Sequence, residues 1–135
     1  VDVNMTHYAP YSYADMYNIG IANDHGKIVL NGVEKIEQGN TQANAFQTLK
    51  GIILSDNAVV EVNPILLIDE YDVKAGHGAT IGKIEENQLY YLQSRGLTKE
   101  QAEKLIINGY IKPILDKIVD ETIANRLEET IYQRI

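Results

Sequence analysis

Val59-Val60-Glu61-Val62-Asn63-Pro64-Ile65-Leu66-Leu67-Ile68 is the stretch that decides the fold of this 135-residue chain. Two short aliphatic runs, 59–62 and 65–68, flank Asn63-Pro64, a pair that favours a turn. The second run is apolar at four consecutive residues, which predicts burial on both faces, as in a parallel sheet. Upstream, residues 27–30, 33–37 and 51–54 have the same character. Asp24-His25-Gly26, Leu30-Asn31-Gly32, Gln38-Gly39-Asn40 and Ser55-Asp56-Asn57 punctuate them. Strands of four or five residues, with no helical stretch between them, exclude a doubly wound α/β fold, which needs crossover helices. A sandwich or barrel and a coiled solenoid remain. The consecutive apolar run favours a solenoid of stacked parallel rungs.

The composition changes near Lys83. Residues 1–83 hold eight of the ten glycines and all three histidines; residues 84–135 hold two glycines. The first part (1–83) therefore reads as strands and turns, the second (84–135) as helix. Ile84, Gln88-Leu89 and Tyr91-Leu92 recur at helical spacing and stop at Gly96, which fits the residue just past a helix end. Thr98 with Gln101 three residues later has the form of a capping box opening a second helix. Ala102, Leu105, Ile106, Ile111, Ile114, Leu115 and Ile118 form its apolar side, with a kink or break expected at Gly109 or Pro113. Val119, Ile123, Leu127, Ile131 and Ile135 make one stripe on a third helix, to be covered within the chain or by a partner.

The overall balance narrows the function. The chain is 44% hydrophobic and 23% charged, an ordinary globular composition. Nineteen acidic against twelve basic residues give a net charge of −7, which argues against generic binding to nucleic acid or anionic membrane. Without cysteine there is no disulfide scaffold, thiolate nucleophile or Cys-ligated zinc. No apolar run approaches the roughly 20 residues of a membrane span, and a reduced cytoplasmic setting is expected. With Val1 first and Met5 the first methionine, the chain is expected to be part of something longer.

Chemistry concentrates in Asp72-Val73-Lys74-Ala75-Gly76-His77-Gly78-Ala79-Thr80-Ile81-Gly82. Glycines around a single histidine allow positive φ or close approach of another group and leave the imidazole accessible, free to ligate a metal or move protons. The competing reading is a turn histidine hydrogen-bonded to backbone. His7 and His25 have weaker surroundings, and a turn role suffices for His25. Asp69, Glu70 and Asp72 could offer oxygens to a hard cation, but carboxylates at such an edge are more often solvated. No P-loop, dinucleotide-binding glycine pattern or Gly-x-Ser-x-Gly elbow is present. The tyrosines at 8, 11, 13 and 17 lack interleaved basic residues and suit a sheet edge or interface better than base stacking.

At this segment the chain resembles the SufB/SufD family of iron–sulfur cluster assembly proteins. The resemblance rests on Asn63-Pro64-Ile65-Leu66-Leu67-Ile68, Asp72-Val73-Lys74, His77-Gly78-Ala79-Thr80-Ile81-Gly82, Leu89-Tyr90-Tyr91-Leu92-Gln93-Ser94-Arg95-Gly96 and the Ala102, Leu105 and Gly109-Tyr110 positions. Weaker upstream support comes from His7-Tyr8-Ala9-Pro10 and Leu54-Ser55. His-Gly-Ala at 77–79, where SufB members usually have His-Glu-Ala, points to the SufD branch and to its C-terminal part. The resemblance implies a right-handed parallel β-helix followed by a small helical domain. It also implies pairing with a SufB-type scaffold through sheet edges and docking of a SufC-type ABC ATPase. The helical domain would hold the ATPase, with Leu89, Tyr91, Leu92, Arg95, Leu105, Ile106 and Tyr110 as the docking residues. His77 inherits the role of a nitrogen ligand where a transient iron–sulfur cluster forms at the scaffold interface. Ala75 and Gly76 stand where many SufD proteins have Cys-Ser, so sulfur ligands would come from the partner.

At roughly 20 residues per turn, the first 83 residues would form about four rungs, whose uncovered first rung favours self-association, a possible homodimer. Two other functions compete with a non-catalytic scaffold. The run from His77 to Gly82 also resembles a turn of a left-handed β-helix acyltransferase with His77 as general base. Stepping back by six from Ile81 meets Ala75, Asp69 and Asn63, which breaks the aliphatic hexad. A plain helical interaction module would bind through its stripe, indifferent to His77.

Overall fold

In the computed structural model, which describes residues 1–134, the short strand signals merge into longer strands. They are β1 (Asp2–His7), β2 (Tyr13–Ala22), β3 (Lys27–Ile36), β4 (Asn44–Ile53), β5 (Val59–Ile68) and β6 (Lys74–Lys83), ten residues each after β1. They alternate between two parallel three-stranded sheets, ordered β1-β3-β5 and β2-β4-β6. Asp2 pairs with Asn31 and Lys27 with Val59, so the chain returns to the same sheet after 29 and 32 residues. A rung of two long strands replaces the expected 20-residue turn, and three strands per sheet replace four rungs. Parallel strands stacked this way fit a β-helix.

Two turn-like pairs lie inside strands, and cross-rung contacts explain both. Asn31 Nδ2 donates to Asp2 Oδ1 at 2.7 Å, and Asn63 Nδ2 donates to Asn31 Oδ1 at 2.8 Å, an amide ladder across β1, β3 and β5. Val59 N–H donates to Gly26 O and Asp69 N–H to Ile36 O, so odd-numbered amides of β5 face β3. Pro64, at an even position, turns its missing N–H to the open edge and costs the ladder nothing.

Burial alternates with period two. Leu30, Gly32, Glu34 and Ile36 of β3 and Ala45, Gln47, Leu49 and Gly51 of β4 turn inward and are buried. Two apolar clusters anchor the interior: Ala22, Ala58 and Val60 with Ile28, Ile53 and Val62, and Ile36, Ala43 and Ala45 with Ile68 and Val73. The expected burial of 65–68 on both faces does not occur: Ile65 is 41% and Leu67 48% exposed on the outer face of β5.

The second unit, from Ile84 on, carries α1 (Glu86–Ser94), α2 (Lys99–Leu115) and α3 (Glu121–Tyr132). Gly96, at φ +97°, donates to Gln93 O while Leu97 N–H donates to Leu92 O, a Schellman ending for α1. Thr98 and Gln101 form the capping box reciprocally. α2 runs unbroken through Gly109 and Pro113, which lies in the last turn where it forfeits a single helical bond. Its buried residues are Ala102, Ile107 and Ile111, so the expected face is rotated: Leu105 is 51% exposed. Asp120 caps α3 through Thr122 and Ile123 amides, which leaves Val119 outside the helix. No residue of α3 is buried, and Ile123 and Leu127 remain about half exposed. Ile135, the last of the expected stripe, lies outside the described residues.

Candidate functional site

His77 sits mid-way along β6, the last strand of its sheet, in register with Gln47. Lys74 N–H donates to Ala43 O, so even-numbered amides of β6 face β4, and His77 presents its backbone to the open edge. Register puts its side chain on the same face as buried Gln47, yet it is exposed because no further rung covers it. No side-chain hydrogen bond engages the imidazole among the described residues, so the turn reading is replaced by a free ring on a strand. A free imidazole offers one nitrogen lone pair to a metal.

The flanking glycines do something other than expected. Gly76, Gly78 and Gly82 are strand residues without positive φ, and a Cβ at Gly78 or Gly82 would meet nothing within 4 Å. At Gly76 only the Phe46 ring comes near, at 3.4 Å. They strip side chains from the outer face of β6 rather than shaping the backbone.

The acidic cluster before His77 is structural. Glu70 accepts from the amides of Gly39, Tyr71 and Asp72, which hold its carboxyl below the usual range, and Asp72 accepts from Gln42 at 2.6 Å. Among the described residues no three His, Asp or Glu side chains converge on a metal position. His25 occupies an Asn-Asp-His-Gly turn and is exposed. His7 is buried at 3% exposure, its Nδ1 2.6 Å from Ser12 Oγ.

Two interior residues carry chemistry that the sequence pattern concealed. Glu34 (0% exposed) and Gln47 (1%) point into the coil between the two apolar clusters. Burial, with the charge of Asp15 adding to it, pushes the Glu34 carboxyl up to about 7. Glu34 belongs to the inward set with Gly32 and Ile36, a signal legible only once the strand is known to run through Gly32.

Within the helical unit, Tyr91, Leu92, Ile106 and Tyr110 meet around an open groove of about 560 Å³ between α1 and α2. Arg95 lies 5.1 Å over the Tyr91 ring. Leu89 is half-buried on α1, and Leu105 lines a separate groove with Leu97, Asn108 and Tyr132.

Comparison with known proteins places the sequence in a family. The profile of the SUF system FeS cluster assembly SufBD core domain matches residues 1–110. This chain belongs to the SufBD family. The iron–sulfur cluster assembly protein SufD of Bacillus subtilis is 40% identical over 129 residues, covering 96% of this chain and 30% of that protein. SufD of Escherichia coli is 31% identical over 115 residues, covering 85% and 27% respectively. The chloroplastic protein ABCI7 of Arabidopsis thaliana is 32% identical over 106 residues, covering 78% and 22%. The chain thus spans under a third of the length of these SufBD relatives and matches a SufD-type segment. Ten-residue strands returning after about thirty residues also leave no six-residue repeat of the acyltransferase kind. No described helix is long and apolar enough to cross a membrane.

Proposed function

We propose that this chain is a segment of a SufD-type scaffold subunit, acting in iron–sulfur cluster assembly without catalysing a reaction itself. Its coil, wound right-handed, pairs edge to edge with a SufB-type scaffold in the cytoplasm, and α1 and α2 dock a SufC-type ABC ATPase. The cluster is transient cargo at the junction of the two scaffolds.

The observation that carries this reading is His77 itself: exposed, unpaired by any side-chain hydrogen bond among the described residues, on the open edge of a parallel sheet. An incoming strand can hydrogen-bond the outward backbone groups of residues 75, 77, 79, 81 and 83, closing over the imidazole. Gly76, Gly78 and Gly82 leave the outer face clear for that approach. With no cysteine in the chain, His77 supplies nitrogen and the partner supplies sulfur. The groove of Tyr91, Leu92, Ile106 and Tyr110, with Arg95 stacked on its rim, offers the aromatic, aliphatic and cationic anchors favoured at interfaces. ATP hydrolysis by the docked partner then moves the segment against its neighbour.

The test places His77→Ala in the full-length subunit, co-expressed with its scaffold and ATPase partners. Co-purification of the three proteins should persist while cluster formation falls at least tenfold. Undiminished cluster formation removes His77 from the site. Pairing of two copies through the same edges is the competing assembly, and sedimentation of the subunit alone separates it from pairing with SufB.

A further inference from the structure

The four buried side-chain atoms of the strand unit that lack a hydrogen-bond partner are Glu34 Oε1, Glu34 Oε2, Gln47 Oε1 and His7 Nε2. Three are oxygen acceptors outright. At the fourth, Ser12 gives its only hydroxyl proton to Ala9 O, so His7 Nδ1 is the donor in the contact with Ser12. Among the described residues of the strand unit, the Glu34 and Gln47 oxygens are thus buried acceptors without a donor. Each such acceptor is costly when left alone in a low-dielectric interior, so a donor is called for.

Gln47 is fixed in place. Its Nε2 donates to Ile65 O at 2.9 Å, spanning from β4 to β5. Its Oε1 rests against Gly32, where a Cβ would stand only 2.8 Å away, so the absence of a side chain there makes room for the amide. Glu34 is the next inward residue after Gly32, roughly 7 Å along the strand on the same inner face. We propose that Glu34 and Gln47 form an internal proton-binding site, in which Glu34 carries an acid proton and donates it to Gln47 Oε1. A proton supplies the donor that the interior lacks and requires no cavity. On ionisation the O–H bond of Glu34 breaks, the proton passes to solvent, and a carboxylate without a donor is left facing Gln47 Oε1.

The elevated midpoint of Glu34 agrees with the neutral form. Among the inward-facing positions of the surrounding strands, β1 carries His7 and β6 carries His77 and Lys83, while those of β2, β4 and β5 carry no titratable side chain; Asp15, whose charge reaches Glu34, is an exposed residue of β2. Gln47 bridges β4 to β5 and is the register neighbour of His77, which places the pair one strand in from the open edge of β6. The site stands on the interior geometry alone and does not depend on the scaffold role proposed above.

The experiment is a ¹³C NMR titration of the side-chain carbonyl carbons of this chain, with Glu34→Gln used to assign the Glu34 signal. The expected result is one glutamate titrating near pH 7 and absent from the variant, with the Gln47 side-chain amide moving at the same midpoint. A Glu34 signal titrating in the ordinary carboxylate range overturns the proton site. A raised midpoint with a Gln47 amide indifferent to it overturns the pairing. Contact of a long-lived water with the Gln47 amide, seen by nuclear Overhauser transfer alongside an ionised Glu34 at pH 6, identifies water as the donor and overturns it equally.

Discussion

Glu34→Gln should make the stability of this chain less dependent on pH, and the size of the effect follows from the buried carboxyl. In the folded chain its midpoint is raised from 4.5 to about 7, so between these values the folded state holds a proton that the unfolded chain has released. Stability from this group therefore falls as pH rises through that window, the opposite of the usual carboxylate behaviour. At 1.36 kcal/mol per unit, the full difference is about 3.4 kcal/mol, of which about 2.5 kcal/mol is lost between about pH 5 and about pH 8. Glutamine has nearly the same shape, offers an N–H in place of the acid proton and does not titrate. Urea unfolding of both proteins at the two pH values isolates the term, because every other carboxylate is common to both. The variant should gain about 2.5 kcal/mol on the parent from the lower to the higher pH, with an unchanged dependence on urea. A parent-to-variant difference that stays constant across the window would refute the buried neutral acid.

Four further substitutions test the surrounding structure. Gly32→Ala drives a Cβ to 2.8 Å from Gln47 Oε1 and 3.0 Å from Met16 Sδ, and should cost about 1–3 kcal/mol. Gly78→Ala, which meets nothing within 4 Å, should stay within about 0.5 kcal/mol, and equal costs by urea unfolding would contradict the packing. Thr98→Ala removes the cap of α2 and should cost about 1 kcal/mol, seen as faster amide exchange in the first turn of α2 with the strands unaffected. Glu70, held low by three amides, stabilises the folded chain above its unfolded midpoint and ceases to do so as pH falls through its depressed folded value. Glu70→Gln should therefore flatten the acid limb of the stability curve; an unchanged limb would assign that limb to other carboxylates.

Local signals were legible where the physics is local. The Gly96 ending of α1 and the Thr98–Gln101 box opening α2 depend on residues within one turn of helix, and both form as their spacing dictates. Strand length was not legible, because Asn31-Gly32 and Asn63-Pro64 carry turn chemistry that only cross-rung contacts override. An asparagine ladder thirty residues apart in sequence, and a proline aimed at an open edge, are properties of the stack rather than of the segment. The same reason hid Glu34 and Gln47, whose inward positions emerge only when the strands run uninterrupted through Gly32 and Gly51. His77 stood out among its glycines, although those glycines clear a face instead of bending the chain. The exposed Ile65 and Leu67 show the limit of reading burial from an apolar run at the outermost strand.

The scaffold account is tested most directly by calorimetric titration of this chain with the cognate SufC-type ATPase, in the absence of nucleotide. It predicts sub-micromolar binding, abolished by Leu92→Asp or Ile106→Asp in the α1–α2 groove and unchanged by His77→Ala. Absence of binding by the folded chain, or binding that survives both groove substitutions, would contradict it.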